Sequence, residues 1–311
     1  MASTLLAALA FLSLFAMAAQ SKLLETPPLV LDYHNGPVLS GPEPIKIYLV
    51  LYGRFSKSDK ATITDFLSSF SPAAAKSSST VAKWWSLTQK YTDSKGQGVA
   101  QSLVLAKQAT DRKYSLGKSL KKSDIATLVA SSIRSKAFPS DPRSIYLVLT
   151  AADVSVQGFC QNTCGEHLYT FPGSSTGGAM LPYAWVGNSE TQCPGFCAWP
   201  YAKPQFGPQE VLTAPNGVGV DGMIITIAKV LAGAATNPFG TAYYQGEQTF
   251  ALEAAGACSS SYGPGSYPGY PGQLSVDPSS KASYNVEGVN RRKFLVPWIW
   301  NPATLSCAGQ P

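Results

Sequence analysis

With 311 residues, 45% of them hydrophobic, the chain has the length and apolar content for one large domain or two small ones with a sizeable core. Its 24 Lys and Arg outnumber 18 Asp and Glu, a formal net charge of +6, and beyond the first residues no stretch reads as a membrane span. The amino terminus reads as an export signal, which excludes nucleic acid as the partner of the basic charge and makes the six cysteines disulfides before metal ligands.

The chain opens MASTLLAALAFLSLFAMAAQ, in which Leu5 to Met17 is an uncharged apolar run suited to a signal-peptide core. Ala16-Met17-Ala18 offers a small-x-small cleavage pattern, and the terminal amine supplies the positive charge. Residues 1–18 are therefore expected to be a signal peptide and 19–311 a single secreted domain. No retention tail or lipid signal is recognisable. The only glycosylation-like triplet is the cysteine variant Asn162-Thr163-Cys164.

Ile45 to Tyr52, rich in β-branched and aromatic residues and ended by Gly53, predicts a strand. Ser58 to Phe70 predicts a helix with Ile63, Phe66, Leu67 and Phe70 on one face, and Thr80 to Tyr91 another that buries Val81, Trp84, Trp85 and Leu87. Gln101 to Leu105 predicts a strand, Ser123 to Ser135 a helix capped by Ser123, and Ser144 to Leu149 a strand covered on both faces. This alternation over 45–152 predicts an α/β fold, a layered mixed sheet with packed helices. From Lys76 to Arg143 there are thirteen Lys and Arg against four Asp and Glu, a local excess suited either to a solvated surface or to a polyanion.

After Ala152 the pattern changes. Residues 153–220 read as a disulfide-stapled, Gly/Pro-rich loop region with one strand, Leu181 to Val186. A helix follows over 222–236, started by Asp221-Gly222, stopped by Asn237-Pro238, and buried along Met223, Ile224, Ile227, Ala228, Leu231 and Ala235. Lys229, its only ionisable residue, is expected to reach solvent. The segment 258–311 reads as a coil-rich tail containing "YGPGSYPGYPG", which a Cys258–Cys307 bond would fasten to the body. Cys160, Cys164, Cys193 and Cys197 would then pair among themselves.

Candidate chemistry is sparse. The two histidines are His34, expected in a structural hydrogen bond, and His167, beside Cys160 and Cys164. A Ser-His-Asp triad lacks its Gly-x-Ser-x-Gly elbow, and oxidised cysteines cannot hold zinc. Asp153, Glu166, Glu190, Glu210 and Asp221 all sit in loop-like contexts, where carboxylates carry no specific signal. Aromatics near turns suggest a sugar-stacking surface of Trp185, Trp199, Tyr262, Tyr267 and Tyr270, with burial of the tryptophans as the plainer alternative. Lys118, Lys121 and Lys122 are the candidate contacts for an acidic polymer.

The segments "YHNGPVL", "IYLVLYG", "VAKWW", "VLTAADV", "GFC…CGEH", "YAWVGNS", "CPGFCAWP", "VGVDGM", "TNPF", "YPGYPGQLSVD" and "SYNVEGVNRRKFLVPWIWNP" together resemble the Exordium, or phosphate-induced protein, family of land plants. The resemblance implies secretion to the apoplast and cell wall, and a link to growth, cell expansion and the brassinosteroid response. Some members carry His-Glu-x-x-Glu after "DGM…IA", on a helix resembling that of zinc metallopeptidases, so the resemblance also implies a zincin-like core. Here the three positions hold Lys229, Val230 and Gly233, which supply neither ligands nor base. The expectation is a scaffold helix in a protein without cofactor or bound metal. It would act by binding an acidic wall polysaccharide or an apoplastic protein. The alternative is a wall hydrolase or a divergent metallohydrolase with a degenerate zinc site.

Overall fold

The apolar runs build a sheet buried on both faces. In the computed structural model, which describes residues 28–72, 78–207, 210–248 and 251–310, β1 is Ile45–Tyr52. Ile45, Ile47, Leu49 and Leu51 enter one core, and Tyr48, Val50 and Tyr52 the other. The signal assigned to 1–18 lies outside the described residues.

Helix α1 is Lys57–Ser68, started by Ser56 rather than Ser58: Asp59 N donates to Ser56 Oγ at 3.0 Å and Ser56 N to Asp59 Oδ2 at 3.3 Å, a reciprocal cap. Helix α2 is only Val81–Trp85, continued as a 3-10 turn over Ser86–Lys90. Ser86 Oγ donates to Lys83 O and Thr88 Oγ1 to Trp85 O, and such bonds compete with the helical ladder. Strand β2, Leu103–Asp111, outlasts its apolar start and runs along an exposed sheet edge. Helix α3 is Lys122–Arg134. Asp124 rather than Ser123 closes its start, accepting from Lys121 N at 2.7 Å.

Strand β3, Ile145–Thr150, is buried at every residue. The region expected to be loop then supplies a strand with no apolar run to announce it, β4 (Gly165–Thr170), which pairs antiparallel with the fully buried β5 (Leu181–Gly187). The sheet order is β2-β1-β3-β5-β4, with every pairing parallel except that of β4. Helix α4, Pro194–Cys197, is tied to the 160–164 turn by the bonds Cys160–Cys193 and Cys164–Cys197.

Helix α5 is Val218–Thr236. It begins before Asp221 because that carboxylate caps from inside the first turn, accepting from Asn216 N at 2.7 Å, Asn216 Nδ2 at 2.8 Å and Gly217 N at 3.1 Å. It ends at Asn237, ahead of Pro238. Instead of one buried face, all of α5 except Val218 and Lys229 is enclosed. With a mean hydropathy of 1.6 it is long and apolar enough to cross a membrane, contrary to the reading of the sequence, yet 89% of that stretch is buried inside the fold.

The carboxyl-terminal segment is not a peripheral coil. Val286, Phe294, Val296, Ile299 and Trp300 join the core shared by α1, α2 and α5. Trp84 Nε1 donates to Pro297 O at 2.7 Å, Tyr91 OH donates to Trp300 O at 2.6 Å, and Cys258–Cys307 closes the segment.

Candidate ligand-binding cleft at the sheet edge

Because strand side chains alternate, β4 presents different chemistry to its two faces. His167 lies opposite Ala184, whose side chain belongs to the α5 core, whereas Glu166 lies opposite Trp185 in the α3 core. A cavity of about 720 Å³ wraps this edge, reached by Lys122 and Glu166, by His167, and by Lys229 of α5 with Glu253 and Asn237.

His167 Nε2 lies 2.6 Å from Glu253 Oε2, and Asn237 Nδ2 donates to Glu253 Oε1 at 2.6 Å. The two side chains are 12% and 19% exposed. Burial alone lowers the imidazole pKa, but the charge and hydrogen bond of Glu253, helped by Glu166, leave it raised. Burial alone raises Glu253, but His167, Asn237 and Lys229 leave it lowered. Each partner thus favours the charged form of the other, the direction of an imidazolium donating to a carboxylate. Nδ1 of His167 is buried and has no partner among the described residues.

Gly233 makes room for this pair. A Cβ there would stand 2.8 Å from the His167 ring and 2.9 Å from Glu253 Oε2. One helical turn earlier, Lys229 is exposed and lines the cleft. Burial of its surroundings lowers its pKa, partly opposed by Glu253. It makes no ion pair or hydrogen bond among the described residues. Beyond β4, Lys122 Nζ bonds Glu166 Oε2 at 2.7 Å. When His167 is protonated, two lysines and an imidazolium against two carboxylates leave one excess positive charge, and among the described residues Lys229 is the cation of this group with no hydrogen bond or ion pair. With its Nε2 committed to Glu253, the His167 ring is held in a fixed orientation by that carboxylate. The arrangement is suited to holding an anion.

Val230 is buried and Gly233 has no side chain, so α5 offers no metal ligands at the positions where the zinc helix would carry them. Among the described residues no group of three or more His, Cys, Asp or Glu is arranged to hold a metal ion.

The aromatic surface expected from the sequence does not assemble. Trp185 is 1% exposed because β5 is covered on both faces, and its Nε1 donates to Thr150 Oγ1 at 3.0 Å. Tyr262 is buried too, with half-buried Trp199 packed against it at 5.8 Å between centroids. Only Tyr267 and Tyr270 are exposed, their rings 5.2 Å apart. The three candidate lysines have different settings. Lys118 bonds Asp153 at 2.6 Å, Lys121 is exposed at the start of α3, and Lys122 is paired with Glu166. His34 stacks on Tyr244 and places Nε2 3.2 Å from Tyr244 O. Of the remaining carboxylates, Asp221 caps α5, Glu190 packs by Gly219 and Glu210 is exposed. Glu253 and the second role of Asn237 carry no sequence signal. Only the fold brings Glu253 to a histidine 86 residues away.

No solved structure matches the chain. Protein PHOSPHATE-INDUCED 1 of Nicotiana tabacum is 47% identical over 288 residues, covering 90% of this chain and 88% of the relative. Protein EXORDIUM-like 1 and Protein EXORDIUM of Arabidopsis thaliana are each 46% identical, over 284 and 289 residues, covering 89% and 90% of this chain and 89% and 88% of the relatives. The family model described as the phosphate-induced protein 1 conserved region matches residues 31–310. The chain belongs to the phosphate-induced protein 1, or Exordium, family.

Proposed function

We propose that this protein is exported to the plant apoplast and cell wall, where it promotes growth and cell expansion, linked to the brassinosteroid response, by binding acidic wall polysaccharide rather than by catalysis. The observation that carries this reading is the state of the sheet-edge cleft. His167 and Glu253 neutralise each other, Lys122 and Glu166 do the same, and unpartnered Lys229 leaves a positive charge facing the cavity. Three disulfides suit an oxidising compartment. The excess of basic residues between 76 and 143 adds a long-range attraction for a polymer of carboxylates. A zincin-like ancestry fits a mixed sheet lying over one long helix. Lys229, Val230 and Gly233 then mark a helix that has lost its ligands, which disfavours the metallohydrolase alternative.

The test is retention on immobilised polygalacturonate. Exposed charges attract across about 10 Å at 0.1 M salt but only about 3 Å at 1 M. The oxidised protein should be retained at low ionic strength and elute well below 1 M, and Lys229→Gln should elute earlier. Retention that persists at 1 M would instead favour stacking on Tyr267 and Tyr270, and no retention on any wall polymer would favour a protein partner.

A further inference from the structure

Open α/β sheets bind ligands outside the carboxyl ends of their strands, where the chain leaves neighbouring strands toward opposite faces. β1 and β3 are parallel neighbours, pairing Ile47 to Tyr52 with Ile145 to Thr150. After β1 the chain turns to α1, whose Ile63 and Phe66 enter the α5 core. After β3 it turns the other way, and Ala151, Val154 and Val156 enter the α3 core. The crevice between these departures is lined by Arg54, Tyr114, Lys118, Ala152 and Asp153 and measures about 480 Å³. It shares no lining residue with the sheet-edge cleft.

Its walls are held in place. Gly53 turns with φ +99°, and a Cβ there would come within 2.7 Å of the Ala151 side chain. The loop after β2 is pinned over the crevice by Tyr52, whose hydroxyl accepts from Leu116 N at 2.9 Å and donates to Gly117 O at 2.7 Å. The Asp111 carboxylate accepts from Lys113 N and Ser115 N in the same loop. Inside, Lys118 Nζ at 2.6 Å and Tyr114 OH at 2.9 Å both donate to Asp153 Oδ2, and the ammonium sits 4.6 Å from the Tyr114 ring centre. Lys118 first, then Tyr114, outweigh burial and hold the Asp153 carboxyl below its usual range.

Arg54 is the group left over. Its guanidinium makes no hydrogen bond or ion pair among the described residues, although its charge acts on Lys118. Two cations face one carboxylate, and the unpartnered cation is the planar, five-donor fork that matches a carboxylate through two bonds. Asp153 beside it accepts hydroxyls, and neither Lys118 nor Tyr114 takes its second oxygen.

We infer that this switch-point crevice is a subsite for one uronate residue, with the sugar carboxylate on Arg54 and a ring hydroxyl on Asp153. The ligand class rests on the acidic-polysaccharide reading above, whereas the site stands on the geometry of the crevice. The experiment is calorimetric titration of the oxidised protein with trigalacturonate, run beside retention on the polymer. Binding should weaken ten-fold or more in Arg54→Gln, should not be restored by Arg54→Lys, and should vanish for the methyl-esterified trimer. Arg54 is unpaired, so Arg54→Gln should keep its melting point, and Lys203→Gln controls for one lost positive charge at an exposed position. Equal affinity of Arg54→Gln and parent, or of ester and acid, would overturn the assignment. Polymer retention with trimer binding lost only in Lys229→Gln would also overturn it while sparing the wider reading. Failure of both polymer and trimer to bind would end both.

Discussion

Replacing Gly233 by Ala sets two effects of opposite sign against each other. Alanine is the better helix former by about 1 kcal/mol, so in an open helix the change would stabilise. Here the new methyl would lie 2.8 Å from the His167 ring and 2.9 Å from Glu253 Oε2, closer than carbon atoms are found to such neighbours. Overpacking of this kind costs about 1–3 kcal/mol. Forcing the ion pair apart adds a fraction of the ~3–5 kcal/mol that breaking a buried pair costs, a fraction because the two side chains retain 12% and 19% exposure. The steric and electrostatic costs win, for a net loss of about 2 kcal/mol. In a domain of this size that lowers the melting temperature by about 3–4 °C. Thermal unfolding followed by circular dichroism near pH 5.5 measures it, with His167→Ala as a second background. There the methyl meets no ring, and the penalty should shrink or reverse. A melting point for Gly233→Ala at or above that of the parent would refute the close contact between α5 and the pair.

The same pair sets a pH window. His167 is raised above 6.5, so its stabilisation is complete below about 6.5 and fades as pH rises through the folded value, while Glu253 is lowered below 4.5, so its contribution is complete above about 4.5 and fades as pH falls through the folded value. The pair should therefore contribute most between these limits, and melting curves of His167→Gln against pH should lose the alkaline decline due to this group. Leu231→Ala, at a fully buried site of α5, should cost ~2–5 kcal/mol in urea unfolding, whereas Lys229→Gln should stay within ~0.5 kcal/mol because no bond is lost. Replacing Cys258 and Cys307 together with serine should cost ~2–5 kcal/mol, read from the same urea curves, by freeing the segment that carries Phe294 and Trp300.

What could be read from the sequence follows from burial. β1, β3 and β5 are covered on both faces and appear as near-continuous apolar runs, and Asn237-Pro238 stops α5 by a purely local effect. β4 hides because "GEHLYT" is a half-exposed edge strand with no apolar period, so its paired register exists only beside β5. The start of α5 was misleading for a chemical reason: Asp221 resembles a cap residue but serves the helix from within its first turn. Trp185 stands near a turn, like a sugar-stacking residue, yet it occupies a strand whose neighbours enclose it. The cleft was the least legible feature, since His167, the 233–237 end of α5 and Glu253 come from three separate stretches that only the fold brings together.

The central claim is that the protein binds acidic wall polymer without cutting it. One measurement addresses that claim directly: the oxidised protein is incubated at low salt with soluble polygalacturonate near pH 5.5, and bound polymer and released reducing ends are quantified in the same sample. The account predicts a complex that dissociates with salt and polymer whose length and reducing-end count do not change. Reducing ends that accumulate with time and with protein concentration would contradict it.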